Sequence, residues 1–127
     1  MKICMIGTGY VGLVSGTCFA DIGHQVYCVD KDLSKINQLN SGISPIYEPG
    51  LDELIKKNHK AKRLYFTTDL KKAITVSDII FICVGTPNIK GSLKVDLSFV
   101  FKCTKEILAI TKKKKIIVTK STVPIGT

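Results

Sequence analysis

A glycine-rich turn between an apolar run and a helical pattern constrains this sequence most. Residues 2–6 form the apolar run, and Gly7-Thr8-Gly9-Tyr10-Val11-Gly12 follows at once. A second apolar run, 26–29, ends at Asp30. The order is strand, glycine turn, helix, strand and acid, and a dinucleotide-binding half-fold has its parts in that order.

Each glycine of the turn has its own physical task. Gly7 lets the backbone turn sharply off the strand, and Gly9 lets a pyrophosphate approach the main chain. Gly12 lets the helix pack close to the sheet, and the helix begins with free N–H groups and a positive dipole end. Glycines also end strands and cap helices for structural reasons. Here the flanking strands and the acid favour the nucleotide interpretation.

Asp30 is the candidate ligand of the adenosine ribose. It lies 18 residues after Gly12 and 23 after Gly7, which brackets the usual spacing of roughly 20 residues. Its charge would repel a 2′-phosphate, so the sequence predicts NAD rather than NADP as the cofactor. The neighbouring Lys31 weakens this distinction, because a cation favours a 2′-phosphate.

Length and composition predict one domain over residues 1–127. A chain of 127 residues with 45% hydrophobic residues can bury a single core. No stretch approaches the roughly 20 apolar residues of a membrane helix, so we expect no membrane partner. The sequence starts directly on a strand with no signal-peptide pattern, and we expect a cytoplasmic location.

Cysteines and charge exclude further classes. The five cysteines have no metal-binding spacing, so we expect no metal and interpret them as small buried hydrophobic residues. The net charge is +9, with a dense run at 112–115. Few aromatic residues accompany the lysines, so no nucleic-acid partner is expected.

Apolar runs alternate with helical patterns along the whole chain, which predicts an α/β fold: a Rossmann-like, doubly wound, mostly parallel sheet. The runs are unbroken, as is typical of strands buried on both faces. Asp32 and Asp96 are predicted N-caps, and Asp69 opens a short helix. The predicted strands are 2–6, 25–29, 64–67, 79–84 and 115–119. The predicted helices are 11–22, 33–39, 51–58, 69–74 and 97–110.

Two loops follow strands at the edge where such sheets bind ligands. Gly85-Thr86-Pro87 follows the fourth strand, and Ser121-Thr122-Val123-Pro124 follows the fifth. Thr86 and Thr122 can each offer a hydroxyl to a cofactor. Ordinary turn chemistry explains the same residues equally well.

Three motifs together resemble one family. The sequence 7–14 with Asp30 and Lys35, the loop 45–51 (Pro-Ile-Tyr-Glu-Pro-Gly-Leu), and Gly85-Thr86-Pro87 with 121–127 are similar to the UDP-glucose/GDP-mannose dehydrogenases. The resemblance covers all 127 residues. Many members have proline where this chain has Gly85, which should loosen that loop but keep the Thr86 hydroxyl.

The resemblance implies site residues. The glycine loop with Tyr10 and the Val11 backbone would meet the pyrophosphate, Asp30 the ribose, and Lys35 the adenosine end of NAD. Thr86 and Thr122 would contact NAD near its ribose and nicotinamide, and Thr122 would also help to orient the catalytic water. The resemblance assigns no role to Glu48.

The resemblance also implies what this chain lacks. Members oxidise the C6 alcohol of a nucleotide-sugar to a carboxylate with two NAD, through a cysteine that belongs to a later part of the chain. We therefore expect residues 1–127 to bind NAD without turnover, because the nucleophile and the sugar-nucleotide domain are absent. UDP-glucose would bind only to the full-length enzyme, which we expect to be a homo-oligomer.

Other interpretations stay open at this stage. The chain could be a stand-alone NAD-binding module, or the matching domain of a GDP-mannose or other nucleotide-sugar dehydrogenase. A hydroxyacyl-CoA or phosphogluconate dehydrogenase has a similar first domain but lacks the 45–51 and 121–127 loops. Nucleic-acid binding rests on charge alone.

Overall fold

The computed structural model describes residues 1–92 and 94–127, which form a five-stranded parallel sheet between two layers of helices. The strands are β1 (Lys2–Ile6), β2 (Gln25–Val29), β3 (Leu64–Thr67), β4 (Ile79–Ile82) and β5 (Ile116–Thr119). The helices are α1 (Tyr10–Asp21), α2 (Leu33–Asn40), α3 (Leu51–Lys60), α4 (Leu70–Val76) and α5 (Ser98–Ile110). The strand order is β3-β2-β1-β4-β5, which confirms the predicted Rossmann-like fold.

Alternate residues of the central strands contribute to two separate cores. Ile3 and Met5 of β1 pack in the core that α1, α2 and α3 cover. Cys4 and Ile6 of the same strand pack in the core beneath α4 and α5. Both faces of β1 are therefore buried, and this explains why its sequence is an unbroken apolar run.

The strand order changes direction at β1. The chain moves outward from β1 through β2 to β3, and then returns to the other side of β1 for β4. In open α/β sheets the crevice at such a switch point, outside the carboxyl ends of the strands, is the ligand-binding position. Here that crevice lies between the loops that follow β1 and β4.

The expectations for β4 and β5 are partly wrong, and β5 begins at Ile116 rather than at residue 115. β5 is not buried on both faces, because it lies at the edge of the sheet, where Ile116 is 58% exposed and Ile117 40%. β4 ends at Ile82 rather than at residue 84. The reason is the register: Ile82 pairs with Ile6, the last residue of β1, so β4 has no partner beyond it on that side.

The helix starts follow the predicted caps with one exception. Asp32 accepts a hydrogen bond from the Lys35 N–H at 3.1 Å, and Asp69 caps α4 in the same way. Asp96 is not the N-cap of α5, since Leu97 holds that position. The Asp96 carboxylate instead accepts from the Ser98 N–H at 2.8 Å, an Asx-type turn that delays the helix by one residue.

The cysteines are free, and four of the five are buried. Cys18 is exposed on α1, so the expectation of a buried thiol is wrong there. Within residues 1–92 and 94–127, every helix is too short or too polar to cross a bilayer.

Candidate functional site

The turn after β1 has a backbone that side chains would block at two points. Gly7 has φ +103°, and a Cβ there would lie 2.6 Å from the carbonyl oxygen of Cys83. A Cβ on Gly12 would lie 1.9 Å from the carbonyl oxygen of Gly7. The start of α1 is therefore packed directly on the turn, as the spacing of the glycines predicts.

Gly9 differs from these two glycines because the space beside it is open. A Cβ built there meets no described atom within 4 Å. Gly9 is the N-cap of α1, whose first N–H groups have no partner within the helix. The open space and the amide groups together form a cradle that suits an anionic group.

The Asp30 carboxylate lies beside this turn, directly after β2. Its Oδ2 accepts hydrogen bonds from the Thr8 N–H at 3.0 Å and from the Thr8 hydroxyl at 2.6 Å. Lys35 Nζ lies 3.2 Å from the same oxygen, and the Asp32 N–H donates to Oδ1 at 3.1 Å. Four donors thus hold one carboxylate at the mouth of the crevice.

These donors keep Asp30 ionised. Burial by itself raises the pKa of this carboxyl, but the hydrogen bonds from Thr8, Asp32 and Lys35 outweigh it and lower the pKa from 3.8 to about 2. The side chain therefore carries a full negative charge at neutral pH. A fixed negative charge on Asp30 attracts the hydroxyl donors that contact this side chain and repels a phosphate in the same position.

The loops after β4 and β5 meet on the opposite side of the crevice. The hydroxyl oxygens of Thr86 and Thr122 lie 2.8 Å apart. The Ser121 hydroxyl donates to the carbonyl oxygen of Val84 at 2.7 Å and so ties the two loops together. The two threonines that the sequence singles out separately thus form one hydrogen-bonded pair.

A cleft of about 1010 Å³ joins the glycine turn, Asp30 and the threonine pair. This volume is at the upper end of the roughly 300–1,000 Å³ of pockets that bind small molecules. Of the nine predicted cofactor residues, eight line the cleft, and Gly12 lies buried beneath the turn. The eight are Gly7, Gly9, Tyr10, Val11, Asp30, Lys35, Thr86 and Thr122.

Sequence reasoning missed several residues of the cleft. Thr8 is fully buried and is the main partner of Asp30. Lys71, Lys102 and Lys120 also line the cleft and add positive charge to its walls. A hydroxyl inside the glycine turn, one strand away from the acid, is the signal that could have identified Thr8. The three lysines are not distinguishable by spacing from other surface lysines.

Comparison with known proteins gives a family match over the whole chain. The model of the UDP-glucose/GDP-mannose dehydrogenase family, NAD binding domain, matches residues 1–127. A UDP-glucose 6-dehydrogenase of Rhizobium meliloti is 57% identical over 127 residues, and UDP-glucose 6-dehydrogenase TuaD of Bacillus subtilis is 56% identical over 126. These alignments cover 100% and 99% of this chain but 29% and 27% of the relatives. The chain therefore spans less than a third of the curated relatives it matches.

Solved structures also match nearly the whole of this chain and less than a third of their own. A GDP-mannose dehydrogenase from Pseudomonas aeruginosa, solved as a ternary complex, has a TM-score of 0.95 and 41% identity. It matches 99% of this chain and 29% of its own. A UDP-glucose dehydrogenase from Pyrobaculum islandicum has a TM-score of 0.91 and 34% identity, over 98% of this chain and 29% of its own.

Proposed function

This chain belongs to the UDP-glucose/GDP-mannose dehydrogenase family as its NAD-binding domain, and we propose that it forms the cofactor site of a UDP-glucose 6-dehydrogenase. Such an enzyme oxidises UDP-glucose to UDP-glucuronate with two NAD. The choice of UDP-glucose as the substrate rests on the curated relatives at 57% and 56% identity, both of which are UDP-glucose 6-dehydrogenases.

The residues of the cleft fit NAD. The open space at Gly9 accommodates a pyrophosphate, because a bulkier residue would fill it. Asp30 accepts a hydrogen bond from the adenosine ribose at its Oδ1, and Lys35 approaches the adenosine end. Tyr10 and Val11 belong to the same loop, and Gly7 and Gly12 give it its shape. The ionised Asp30 carboxylate, held by Thr8 beside the glycine turn, is the observation that carries this assignment.

Thr86 and Thr122 lie where the nicotinamide end would extend. NAD, when bound, supplies the hydride acceptor. In this proposal the threonine hydroxyls contact NAD near its ribose and nicotinamide, and the Thr122 hydroxyl helps to orient the catalytic water. Their mutual hydrogen bond keeps both hydroxyls at the same wall of the cleft.

The covalent step needs residues other than the four buried cysteines of this chain, and the exposed Cys18 on α1 is not among the residues that line the cleft. Burial raises the pKa of the Cys83 and Cys103 thiols to about 11, and that of Cys4 to about 12. Burial also raises the pKa of Cys28. A nucleophilic thiolate needs a cationic, partly exposed setting. We propose that UDP-glucose binding, turnover and oligomerisation belong to the full-length enzyme, and that the protein is cytoplasmic, where free thiols stay reduced.

Calorimetric titration of the chain with NAD, NADP and UDP-glucose tests the proposal. We expect NAD to bind, NADP to bind more weakly, and UDP-glucose not to bind. Asp30→Ala should weaken NAD binding and narrow the gap between NAD and NADP. Asp78→Ala is the matched control, because Asp78 accepts a backbone hydrogen bond from Lys2 at the amino ends of β1 and β4, away from the cleft. Equal affinities of the parent chain for NAD and NADP would contradict the assignment of Asp30.

A further inference from the structure

Thr8 occupies a position that the glycine motif leaves unspecified, yet it makes the shortest contact to Asp30. Its side chain is fully buried. The hydroxyl donates to Asp30 Oδ2 at 2.6 Å, which is typical of a strong O–H bond to an ionised acceptor. The N–H of the same residue donates to the same oxygen at 3.0 Å.

Two donors from one buried residue restrict the rotation of the carboxylate. Oδ2 is saturated by Thr8 and Lys35, since a carboxylate oxygen has about two acceptor positions. Oδ1 accepts only the Asp32 N–H among the described residues, so it keeps an acceptor position for a ligand hydroxyl. Of the side-chain donors, Lys35 is 29% exposed and Thr8 is buried. Thr8 is therefore the fixed side-chain anchor.

We propose that Thr8 is a positioning residue that fixes the Asp30 carboxylate toward the adenosine ribose and thereby sets the preference for NAD over NADP. This inference rests on the proposed role of Asp30 in the cofactor site. Without the Thr8 hydroxyl the Asp30 carboxylate can adopt other orientations. NAD must then restrict the carboxylate as it binds, which lowers the affinity for NAD. The affinity for NADP does not depend on the fixed orientation of the Asp30 carboxylate. The carboxylate repels the 2′-phosphate of NADP, and lysines such as Lys31 attract it.

Three variants separate this role from a general effect on the fold. Thr8→Val removes the hydroxyl at nearly constant volume, and Thr8→Ser keeps the hydroxyl. Thr17→Val is the matched control, because Thr17 is an equally buried threonine on α1 whose hydroxyl has no hydrogen-bond partner among the described residues. Circular dichroism and thermal unfolding establish that each variant is folded. If Thr8→Val does not fold, Thr8→Ala removes the same hydroxyl with less bulk.

The first readout is calorimetric affinity for NAD and NADP. Thr8→Val should weaken NAD binding about two- to thirteenfold, which corresponds to the cost of about 0.5–1.5 kcal/mol for restricting one side chain. NADP affinity should stay within about twofold of the parent, which narrows the NAD/NADP ratio. Thr8→Ser and Thr17→Val should keep the parent ratio.

The second readout is the pKa of Asp30, followed by carbon NMR of its carboxyl group. Thr8→Val should raise this pKa, whereas Thr8→Ser and Thr17→Val should leave it unchanged. The inference is overturned if Thr8→Val matches Thr17→Val in both the cofactor ratio and the Asp30 pKa. A parent chain that binds no NAD overturns the proposed cofactor site itself, and the inference falls with it.

Discussion

The hydroxyl oxygens of Thr86 and Thr122 lie 2.8 Å apart, although 36 positions separate the two residues in the sequence. The pairing of Ile82 with Thr119 brings together the ends of β4 and β5, and the loops that follow converge. The hydrogen bond makes the two side chains one unit. Replacing either threonine by valine therefore removes a hydrogen-bond partner of the other.

Valine substitutions at this pair should weaken NAD binding non-additively. Thr86→Val and Thr122→Val should each weaken it about fivefold, the value of one hydrogen bond of about 1 kcal/mol. The double variant should lose little more than either single variant, because the first substitution already frees the partner. A calorimetric double-mutant cycle measures this, with Thr75→Val on α4 as the control, since its hydroxyl bonds to Lys71 O. Fully additive losses would contradict the coupling.

Gly12→Ala should destabilise the fold through a backbone clash. The new Cβ would lie 1.9 Å from the Gly7 carbonyl oxygen, and neither partner is a flexible side chain. We expect a loss of about 3 kcal/mol or more in the free energy of unfolding, measured by urea denaturation. Gly9→Ala is the control for stability, because its Cβ meets no described atom within 4 Å and its φ of −74° suits alanine. Equal stabilities of the two variants would show that the turn can move.

The sequence predicted the elements of the fold because burial on both faces leaves an unbroken apolar run. β1 and β2 are of this kind, and their bounds, Lys2–Ile6 and Gln25–Val29, match the structure. β5 has a similar run, but it lies at the edge and is largely exposed. Exposure of an edge strand depends on what packs beside it, and the apolar run itself carries no such information.

The site was predicted in outline, and its internal contacts were not. Asp30 is identifiable from its spacing to the glycines, but its contact with Thr8 arises only when β1 and β2 lie side by side. Ile6 pairs with Val29, so Thr8 and Asp30 both follow the ends of paired strands. The contact between Thr86 and Thr122 arises in the same way from β4 and β5. Predicting contacts of this kind requires the order and the register of the strands in the sheet.

Asp30 should contribute a pH-dependent share of stability. Its pKa is lowered from 3.8 to about 2 in the folded chain, so the folded state favours the ionised form. The contribution is complete above about pH 4 and is lost as the pH falls through about 2. The free energy of unfolding of the parent, relative to Asp30→Asn, should be about 1–2 kcal/mol greater above pH 4 than near pH 2, allowing for solvent screening.

Urea unfolding of both proteins across this range gives the difference directly. Asp21, whose pKa is lowered by a hydrogen bond from Lys57, is present in both proteins, so its own titration cancels. Asp78→Asn is the control, because it removes a carboxylate at the amino ends of β1 and β4, away from Asp30. A difference between parent and Asp30→Asn that does not vary with pH would mean that the four donors do not favour the charged form.

Asn58 should be important for stability and unimportant for the cofactor. It is fully buried and uses its whole hydrogen-bonding capacity. Its amide nitrogen donates to Asp21 Oδ1 at 3.0 Å and to Leu54 O at 2.9 Å, and its oxygen accepts from Arg63 Nη2 at 2.9 Å and Nε at 3.2 Å. The residue thus links α3 to the end of α1 and to Arg63. Arg63 precedes β3 and so lies at the amino ends of the strands, whereas the cleft lies at their carboxyl ends.

Asn58→Ala removes these hydrogen bonds. The Arg63 guanidinium loses its acceptor on Asn58, and the Asp21 carboxylate loses its donor on Asn58. We expect a loss of about 2–3 kcal/mol in the free energy of unfolding, because buried polar groups without partners are costly. The NAD affinity of the folded fraction should not change, since Asn58 is not among the residues of the cleft. Calorimetry under stabilising conditions measures that affinity, and Asn37→Ala on the exposed face of α2 is the matched control. A large change in NAD affinity without loss of stability would mean that Asn58 affects the cofactor site. It would contradict the assignment of stability to the amino ends of the strands and of cofactor binding to their carboxyl ends.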